Sequence, residues 1–530
     1  MWKRRKPIAE IMLTNNRYLW TRLKPVSQSI CGKSRYILTN CSGVRWNSTT
    51  TQPLPISGLF KYAGLNNKAY IKVHGPEAVK FINGLVSSKL QESFIKKNLT
   101  TITDDSNKPG TSSEQEIVPV AQFDITKGNW GLYHETGEQG PYIGRFGQYT
   151  AFLDGKGKLI TDSILYPTPL TIENVNSTRY PEYLIELDTE GMSDRMLKTL
   201  DGHKILSKVK INAIEPNKIR TWDVSVRFQN IPQTEENPWI DNILKPMGYM
   251  KTPEDSVSFT NTVVGTLFKG YEDKIIGMYI ERRTDKILEK DGSAPLMFRI
   301  LTDDSIENVS TIFNQEAFPF NFEVLEEKET TFRKLRLSYG LLDGVKDVKP
   351  TTVLPLELNF DYFPDVVSSN KGCYIGQELT ARTFATGILR KRLVPVKIGN
   401  VSALTDYVNR LDPESEKYPE VQMKSSENGS DLIEFEPSEK MPPSPFASTK
   451  TVRKRKRPVG SLISFENDVG VVMLRTENFD KIFQPGGSVE EKPTLYIDIG
   501  GYTPDDNIIL QAQEPFWLSE WFKSNKPKLV

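Results

Sequence analysis

The segment NKGCYIGQELTAR (Asn370–Arg382) contains a cysteine in a glycine-rich bend directly before a predicted helix. Gly372 and Gly376 allow the backbone to bend closely around a ligand. Cys373 precedes the helix start, where the helix dipole and unpaired N–H groups favour the thiolate, and Lys371 adds positive charge. The segment therefore predicts a functional thiol. The alternative is that Cys373 is a small buried core residue.

The residues around the cysteine are candidates for binding. Gln377 and Glu378 offer polar contacts at the helix start, and Arg382 follows on the next turn. Tyr374 belongs to the same segment, although its side chain is predicted to pack in the core rather than stack on a ligand. Arg382 and the later Arg390 are alternatively solvent-exposed partners of acidic residues.

The first 50 residues differ in charge from the rest of the chain. They contain ten Lys and Arg and one acid, which leaves 58 basic and 66 acidic residues elsewhere. A basic, acid-poor leader is typical of a mitochondrial transit peptide, predicted here over residues 1–48, and indicates a mature protein in the mitochondrial matrix. The alternative is a basic tail that binds nucleic acid or lipid. No apolar run approaches the roughly 18 residues of a spanning helix, so no membrane partner is expected.

Removal of that leader would take Cys31 and Cys41 with it and leave Cys373 as the remaining cysteine. One thiol forms no internal disulfide and cannot hold an iron–sulfur cluster alone, since such clusters take four ligands. The three histidines are far apart in sequence, and no zinc-type spacing, GxGxxG or Walker motif is present. The sequence therefore predicts no autonomous metal site and excludes the common nucleotide-dependent enzymes.

Alternation of strand and helix patterns predicts a multi-domain α+β protein. One α+β domain is predicted over residues 58–255, with a polar insertion at about 99–118, and a second over residues 256–387. Within the first, YTAFL and KLITDSILY form a predicted hairpin around the DGKG turn at residues 154–157. A C-terminal β-barrel is predicted over residues 388–530, with a disordered insertion at about 401–450 that is rich in Ser, Glu, Pro and Lys.

The segment KGCYIGQELTAR resembles the signature of the folate-binding superfamily of the glycine-cleavage T-protein, in its YgfZ branch. The hairpin YTAFLDGKGKLITDSILY, the opening YIKVHGPEAVKFINGLVSS and the late RPVGSLIS and VGVVMLR strands are similar to the same family. The resemblance implies a ring-like aminomethyltransferase arrangement, in which the first domain is folate-binding-like and a C-terminal barrel follows. It also implies a central channel that binds tetrahydrofolate in relatives, near the signature.

With a transit peptide in front, the chain resembles the mitochondrial iron–sulfur cluster assembly factors of this superfamily. The resemblance implies a late role in making [4Fe–4S] clusters for aconitase-type enzymes and for the radical enzymes of lipoate and biotin synthesis. It implies A-type scaffold proteins and client apoproteins as partners, without conventional catalytic turnover. Cys373 would then lend one ligand to a transient cluster held mainly by a partner.

Two other functions stay open at this point. A tetrahydrofolate-dependent one-carbon (aminomethyl) transferase would use Asp162, Lys371 and Arg382 in its pocket. Against it, Thr161–Asp162 supplies a single carboxylate where the transferring relatives tend to have paired acids. A separate departure is Phe384, which stands where mitochondrial members often have a histidine, so the resemblance implies no role for an imidazole there. An RNA-modification factor would use the basic run RKRKR at residues 453–457, but the acidic remainder of the chain disfavours nucleic-acid binding.

Overall fold

The computed structural model describes residues 55–91, 131–137, 139–171, 180–189, 191–232, 237–290, 294, 296–412, 415, 417–424, 457–483, 493–499 and 507–525. The predicted transit peptide and the polar insertion at about 99–118 lie outside these residues. No helix of the described part of the chain is long and apolar enough to cross a membrane.

The described strands run from β1 to β18 in chain order. They are β1 (Ser57–Leu65), β2 (Lys68–His74), β3 (Leu132–His134), β4 (Tyr142–Gly144), β5 (Gln148–Leu153), β6 (Leu159–Pro167), β7 (Glu182–Asp188), β8 (Lys210–Ala213), β9 (Ile219–Gln229), β10 (Ile275–Ile280), β11 (Leu296–Asp303), β12 (Phe322–Glu326), β13 (Lys391–Ile398), β14 (Glu420–Lys424), β15 (Gly460–Glu466), β16 (Val469–Arg475), β17 (Thr494–Ile497) and β18 (Ile508–Ala512).

The described helices are mostly short. They are α1 (Ala78–Asn83), α2 (Met192–His203), α3 (Lys245–Met247), α4 (Pro253–Leu267), α5 (Asp285–Lys290), α6 (Glu329–Ser338), α7 (Gln377–Thr386), α8 (Val401–Asn409), α9 (Phe479–Ile482) and α10 (Leu518–Asn525). A π-helical turn (Ile240–Leu244) leads into α3, and 3-10 turns occupy Glu272–Lys274, Arg282–Thr284, Val309–Ile312, Pro355–Leu358, Phe360–Tyr362 and Thr476–Asn478.

Two five-stranded sheets form the α+β part of the protein. One has the order β10-β11-β9-β1-β12 and the other β5-β6-β7-β2-β8. Strand β1 pairs with β9 on one side and, in parallel, with β12 on the other. The first sheet therefore combines strands from both sides of residue 255. The boundary placed there from sequence does not separate two structural units, because pairing joins strands distant in the chain.

The C-terminal part is a closed six-stranded barrel of order β13-β16-β15-β14-β17-β18. Helix α8 and strand β14 both fall within residues 401–450, which were predicted to be a disordered insertion. That prediction is wrong for these two elements, because Leu404 of the helix and Val421 of the strand are buried in the barrel core. Residues 425–456 lie outside the described part of the chain.

The predicted hairpin is formed by β5 and β6, which pair antiparallel around the turn at Asp154–Gly157. Asp154 Oδ1 accepts hydrogen bonds from the N–H groups of Lys156 and Lys158, at 2.9 and 2.8 Å. An aspartate that bonds its own backbone two residues on is a common way to fix such a turn. Gly157, with φ of +79°, closes the turn and points it toward the signature segment.

Candidate functional site

The signature segment is a loop that ends at Gly376, and helix α7 follows from Gln377. Gly372 and Gly376 both have left-handed backbone, with φ of +80° and +79°. A Cβ on Gly376 would lie 2.5 Å from the carbonyl oxygen of Asp154 and 3.0 Å from Cα of Gly157. The signature thus packs directly, backbone to backbone, on the turn of the β5–β6 hairpin. A Cβ on Gly372 would meet no atom within 4 Å.

These two glycines give a matched pair of substitutions. Gly376→Ala is expected to lower the free energy of unfolding by about 3 kcal/mol, because it adds a clash with fixed backbone to the left-handed conformation. Gly372→Ala meets open space and is expected to lose only about 1 kcal/mol. Urea-unfolding midpoints of the two variants test this, and equal losses would show that the hairpin does not press on the signature.

The side chain of Lys371 points into the protein and links the signature to the end of α1 and to the residues that follow it. Its Nζ donates to the carbonyl oxygens of Asn83 (2.6 Å), Ser88 (2.7 Å) and Val86. Burial lowers the pKa of Lys371 to about 7, and this effect outweighs the nearby charge of Glu135, which acts in the opposite direction. We assign the protonated form, because three acceptors need all three N–H groups of an ammonium. Lys371 thus anchors the signature, a role that the sequence did not predict.

Cys373 is exposed, which rules out the alternative that it is a buried core residue. The helix begins four residues after it, at Gln377, so the thiol is not at the first turn of α7. The short helix predicted after the cysteine is therefore present, while the ammonium of Lys371 is bound by backbone carbonyls. That these two features favour the thiolate stays a prediction. What the structure does provide is an accessible sulfur on a backbone held at both ends.

The remaining residues of the signature divide into internal and outward-facing groups. Gln377 Oε1 accepts from the N–H of Tyr374 at 3.0 Å and so braces the loop, and Tyr374 is buried with the Lys371 ammonium 4.6 Å from its ring centre. Glu378 and Arg382 are exposed on α7. Along this helix only Thr380 is buried, so the helix that follows the thiol carries mostly accessible side chains.

Contacts with Ser87 and with residues 134–136 also hold the loop that leads into the signature. Asp365, which has φ of +59°, accepts from the N–H groups of Glu135 and Thr136, each at 2.8 Å. His134 Nδ1 lies 3.3 Å from Asp365 Oδ2. Ser87 Oγ donates to the carbonyl of Val366 at 2.7 Å. These contacts were not predicted, since an aspartate with left-handed backbone carries no sequence motif of its own.

Asp162 lies away from the signature contacts, on β6. It accepts a hydrogen bond from Tyr149 Oη at 2.6 Å and one from the N–H of Gly344 at 2.9 Å. Burial, followed by the nearby charge of Asp343, raises the pKa of Asp162 to about 6. No contact among the described residues joins it to Lys371 or Arg382, with which sequence reasoning grouped it.

The raised pKa of Asp162 predicts that the free energy of unfolding depends on pH. The folded protein holds this proton more tightly than the unfolded chain, where the pKa is near 3.8. The stabilisation is therefore complete below about pH 4 and is lost as the pH rises through about 6. Between these limits the unfolding free energy should fall by about 3 kcal/mol relative to Asp162→Asn. Parallel pH curves for the two proteins would contradict the assignment. Asp201→Asn, at an exposed position, serves as the control.

A cluster of buried charges fills the space between the two five-stranded sheets, and sequence reasoning missed it. We call it the central ion cluster; its members are Lys68, Glu186, Asp188, Asp223, Arg299, Arg336 and Asp343. Arg299 donates to Asp223 at 2.7 Å and to Asp343 at 2.6 Å, and Lys68 lies 2.8 Å from both Asp188 and Asp343. The available signal was a single charge inside otherwise apolar strands, as in LMFRIL.

The space beside the central ion cluster tests the fit of tetrahydrofolate. The cavity lined by Tyr149, Asp223, Arg299, Arg336 and Asp343 has a volume of about 20 Å³. Small-molecule sites commonly measure about 300–1,000 Å³. This cavity between the sheets therefore does not fit tetrahydrofolate, because salt-bridged side chains take up the room.

Comparison with known proteins agrees with this architecture. Residues 390–520 match the family model described as "CAF17, C-terminal beta-barrel domain". The glycine cleavage system aminomethyltransferase T of Bartonella henselae is similar over 86% of both chains, at 11% identity and a TM-score of 0.41. The chain is thus an α+β protein with a C-terminal β-barrel, as the sequence predicted.

Curated relatives specify the family. The chain is 45% identical to "Iron-sulfur cluster assembly factor IBA57, mitochondrial" of Saccharomyces cerevisiae, over 91% of this chain and 93% of the relative. It is 42% identical to the IBA57 homolog of Candida glabrata, over 88% of this chain and 92% of the relative. The chain belongs to the IBA57 family of mitochondrial iron–sulfur cluster assembly factors. The predicted function class and the mitochondrial location are confirmed.

Proposed function

We propose that this protein acts late in iron–sulfur cluster assembly in the mitochondrial matrix. It helps A-type scaffold proteins to mature [4Fe–4S] clusters for aconitase-type enzymes and for radical enzymes of the lipoate and biotin synthase type. Cys373 lends one thiolate to a cluster whose other ligands belong to the partner. No conventional turnover is needed for this role.

The observation that carries the proposal is the accessible thiol on a braced loop. Cys373 is exposed, while Lys371, Gly376 and Gln377 fix the backbone on either side of it. A loop that does not have to be ordered on binding loses less conformational entropy when a partner docks. The thiol is thereby presented in one place rather than in many.

The rest of the described chain offers no competing ligand set. No group of three or more His, Cys, Asp and Glu residues able to hold a metal ion occurs within the described ranges. Iron–sulfur clusters take four protein ligands. A single accessible cysteine is therefore suited to completing a cluster at an interface, in which a partner contributes the remaining thiolates.

The test replaces Cys373 by Ala and by Ser in cells that lack the native protein. Mitochondrial aconitase activity is measured, with a [2Fe–2S] protein as the control for early assembly. Cys41→Ser in the leader is the matched cysteine control. We expect aconitase activity to be lost at normal protein level in both Cys373 variants, with the [2Fe–2S] protein and Cys41→Ser unaffected. Full aconitase activity in both Cys373 variants would refute the role of the thiol.

A further inference from the structure

Two adjacent apolar side chains protrude from the turn between α2 and β8. The N–H of Ser207 donates to the carbonyl of Lys204 at 2.9 Å, which closes a turn with Ile205 and Leu206 at its centre. Ile205 is 86% exposed and Leu206 94%, the highest values among the large hydrophobic residues that are described. Central turn positions usually hold Gly, Pro, Asn, Asp or Ser. We call this pair the Ile205–Leu206 tip.

The residues on either side of the tip are held in place by burial and by hydrogen bonds. Leu200, at the end of α2, and Val209, just before β8, are both buried in the same core cluster. The N–H of Lys208 donates to Glu77 Oε2 at 2.8 Å, and the N–H of Val209 donates to the carbonyl of Ser207 at 2.9 Å. The turn is thus held from both sides with its apolar pair pointing away from the core. Exposure of adjacent large apolar side chains in this way is a sign of an interaction site.

The segment around the tip is strongly basic. From residue 195 to residue 210 it contains five Lys and Arg residues against one acid, Asp201, which pairs with Lys204 at 3.0 Å. The other four basic side chains are exposed: Arg195, Lys198, Lys208 and Lys210. Lys80, 71% exposed in its side chain, lies nearby and pairs with Glu77 at 3.5 Å. An acidic surface is therefore the complementary partner.

We propose that the Ile205–Leu206 tip docks on the surface of an anionic lipid bilayer. The two apolar side chains enter the boundary between headgroups and acyl chains, while the surrounding lysines contact lipid phosphates. Apolar insertion and attraction to anionic lipid add together in such binding. The chain stays peripheral, and this departs from the expectation of no membrane partner.

The shape of the tip favours lipid over a protein partner. Protein interfaces need a well-packed apolar centre, and a specific one buries roughly 800 Å² on each side. A turn with two exposed apolar residues and basic neighbours in sequence provides no such centre. A bilayer accepts protruding side chains without a matching pocket, and its phosphates complement the cations.

Docking in this way would also orient the candidate site. Glu77, which binds Lys208 below the tip, directly precedes α1, and the N–H of Ile375 donates to the carbonyl of Gly84 just after α1. Helix α1 has six residues and is about 9 Å long. The tip and the signature segment therefore attach at opposite ends of one short helix, and bilayer contact would hold Cys373 near the membrane surface.

The test is sedimentation of the full purified chain with vesicles. Vesicles of phosphatidylcholine and phosphatidylglycerol in equal parts are compared with pure phosphatidylcholine. We expect the double variant Ile205→Ser/Leu206→Ser to bind the anionic vesicles at least about tenfold more weakly than wild type. Leu325→Ser, which changes an exposed leucine on β12, is the matched control and should bind as wild type does.

The basic leader could itself attract anionic lipid, and the comparison of variants removes that contribution. Lys208→Glu/Lys210→Glu should also weaken binding, and added salt should weaken the wild type further. Equal vesicle binding by wild type and the Ile205→Ser/Leu206→Ser variant would overturn the proposal. So would a wild type that binds neither vesicle, which would assign the tip to a protein partner instead. Neither result depends on the role of Cys373.

Discussion

Lys371→Met is expected to lower the free energy of unfolding by about 3 kcal/mol and to loosen the signature segment. The substitution keeps the length of the side chain but removes the three donors that satisfy the carbonyls of Asn83, Val86 and Ser88. Each carbonyl left without a donor in a buried place costs about 1–3 kcal/mol. Relief from burying a charge, which is also why burial lowers the pKa of this lysine, offsets part of that loss.

Urea unfolding measures the change in stability, and amide hydrogen exchange over residues 368–376 measures the loosening. Lys156→Met is the matched control, because Lys156 is exposed in the hairpin turn beneath the signature. The control should leave both readouts as in wild type. If Lys371→Met leaves exchange in this segment unchanged, the lysine does not anchor the signature.

Arg299→Met is expected to destabilise the protein by about 3–5 kcal/mol, because removing one partner from a buried ion pair leaves charges without compensation. Arg299 binds Asp223, Asp343 and Glu186 at once. Burial alone would raise the pKa of Asp343, but Arg299, Lys68 and Arg336 hold it well below its ordinary value. Without the guanidinium these carboxylates face one another in the space between the sheets.

The unfolding midpoint in urea, measured near neutral pH, tests this effect. Lys218→Met serves as the control, since the pair that Lys218 makes with Asp304 lies at the surface, where such pairs add little. A loss that shrinks as the pH falls below about 4 would fit protonation of the freed carboxylates. An Arg299→Met protein as stable as the Lys218→Met protein would show that the cluster does not join the two sheets.

Local chemistry was enough to predict the elements that position the thiol. The DGKG turn predicted the β5–β6 hairpin, and the two glycines of the signature predicted a tight bend before a helix. The contact between Gly157 and Gly376 could not be predicted, because it joins positions more than 200 residues apart whose left-handed backbones have no local cause in common. A Cβ on Gly157 would lie 2.9 Å from the carbonyl oxygen of Gly376, so each glycine is required in part by the other.

The errors have related physical causes. A boundary at residue 255 looked natural in the sequence, yet β1 is completed by β9 and β12, and such long-range pairing leaves no local pattern. Helix α8 and strand β14 were hidden in a polar composition, because the barrel needs only a few buried residues from each. Lys371 was expected to act on the thiol because the two residues are close in sequence, whereas the carbonyls of Asn83, Val86 and Ser88 determine where its ammonium lies.

We propose that Cys373 completes a cluster held mainly by a partner. The most direct test titrates an A-type scaffold protein, loaded with a [2Fe–2S] cluster, with wild type and with Cys373→Ser, and follows the visible circular dichroism of the cluster and complex formation by size exclusion. We expect a cluster-dependent complex and a changed cluster spectrum with wild type, and neither with Cys373→Ser. The same complex and the same spectral change with Cys373→Ser would contradict it.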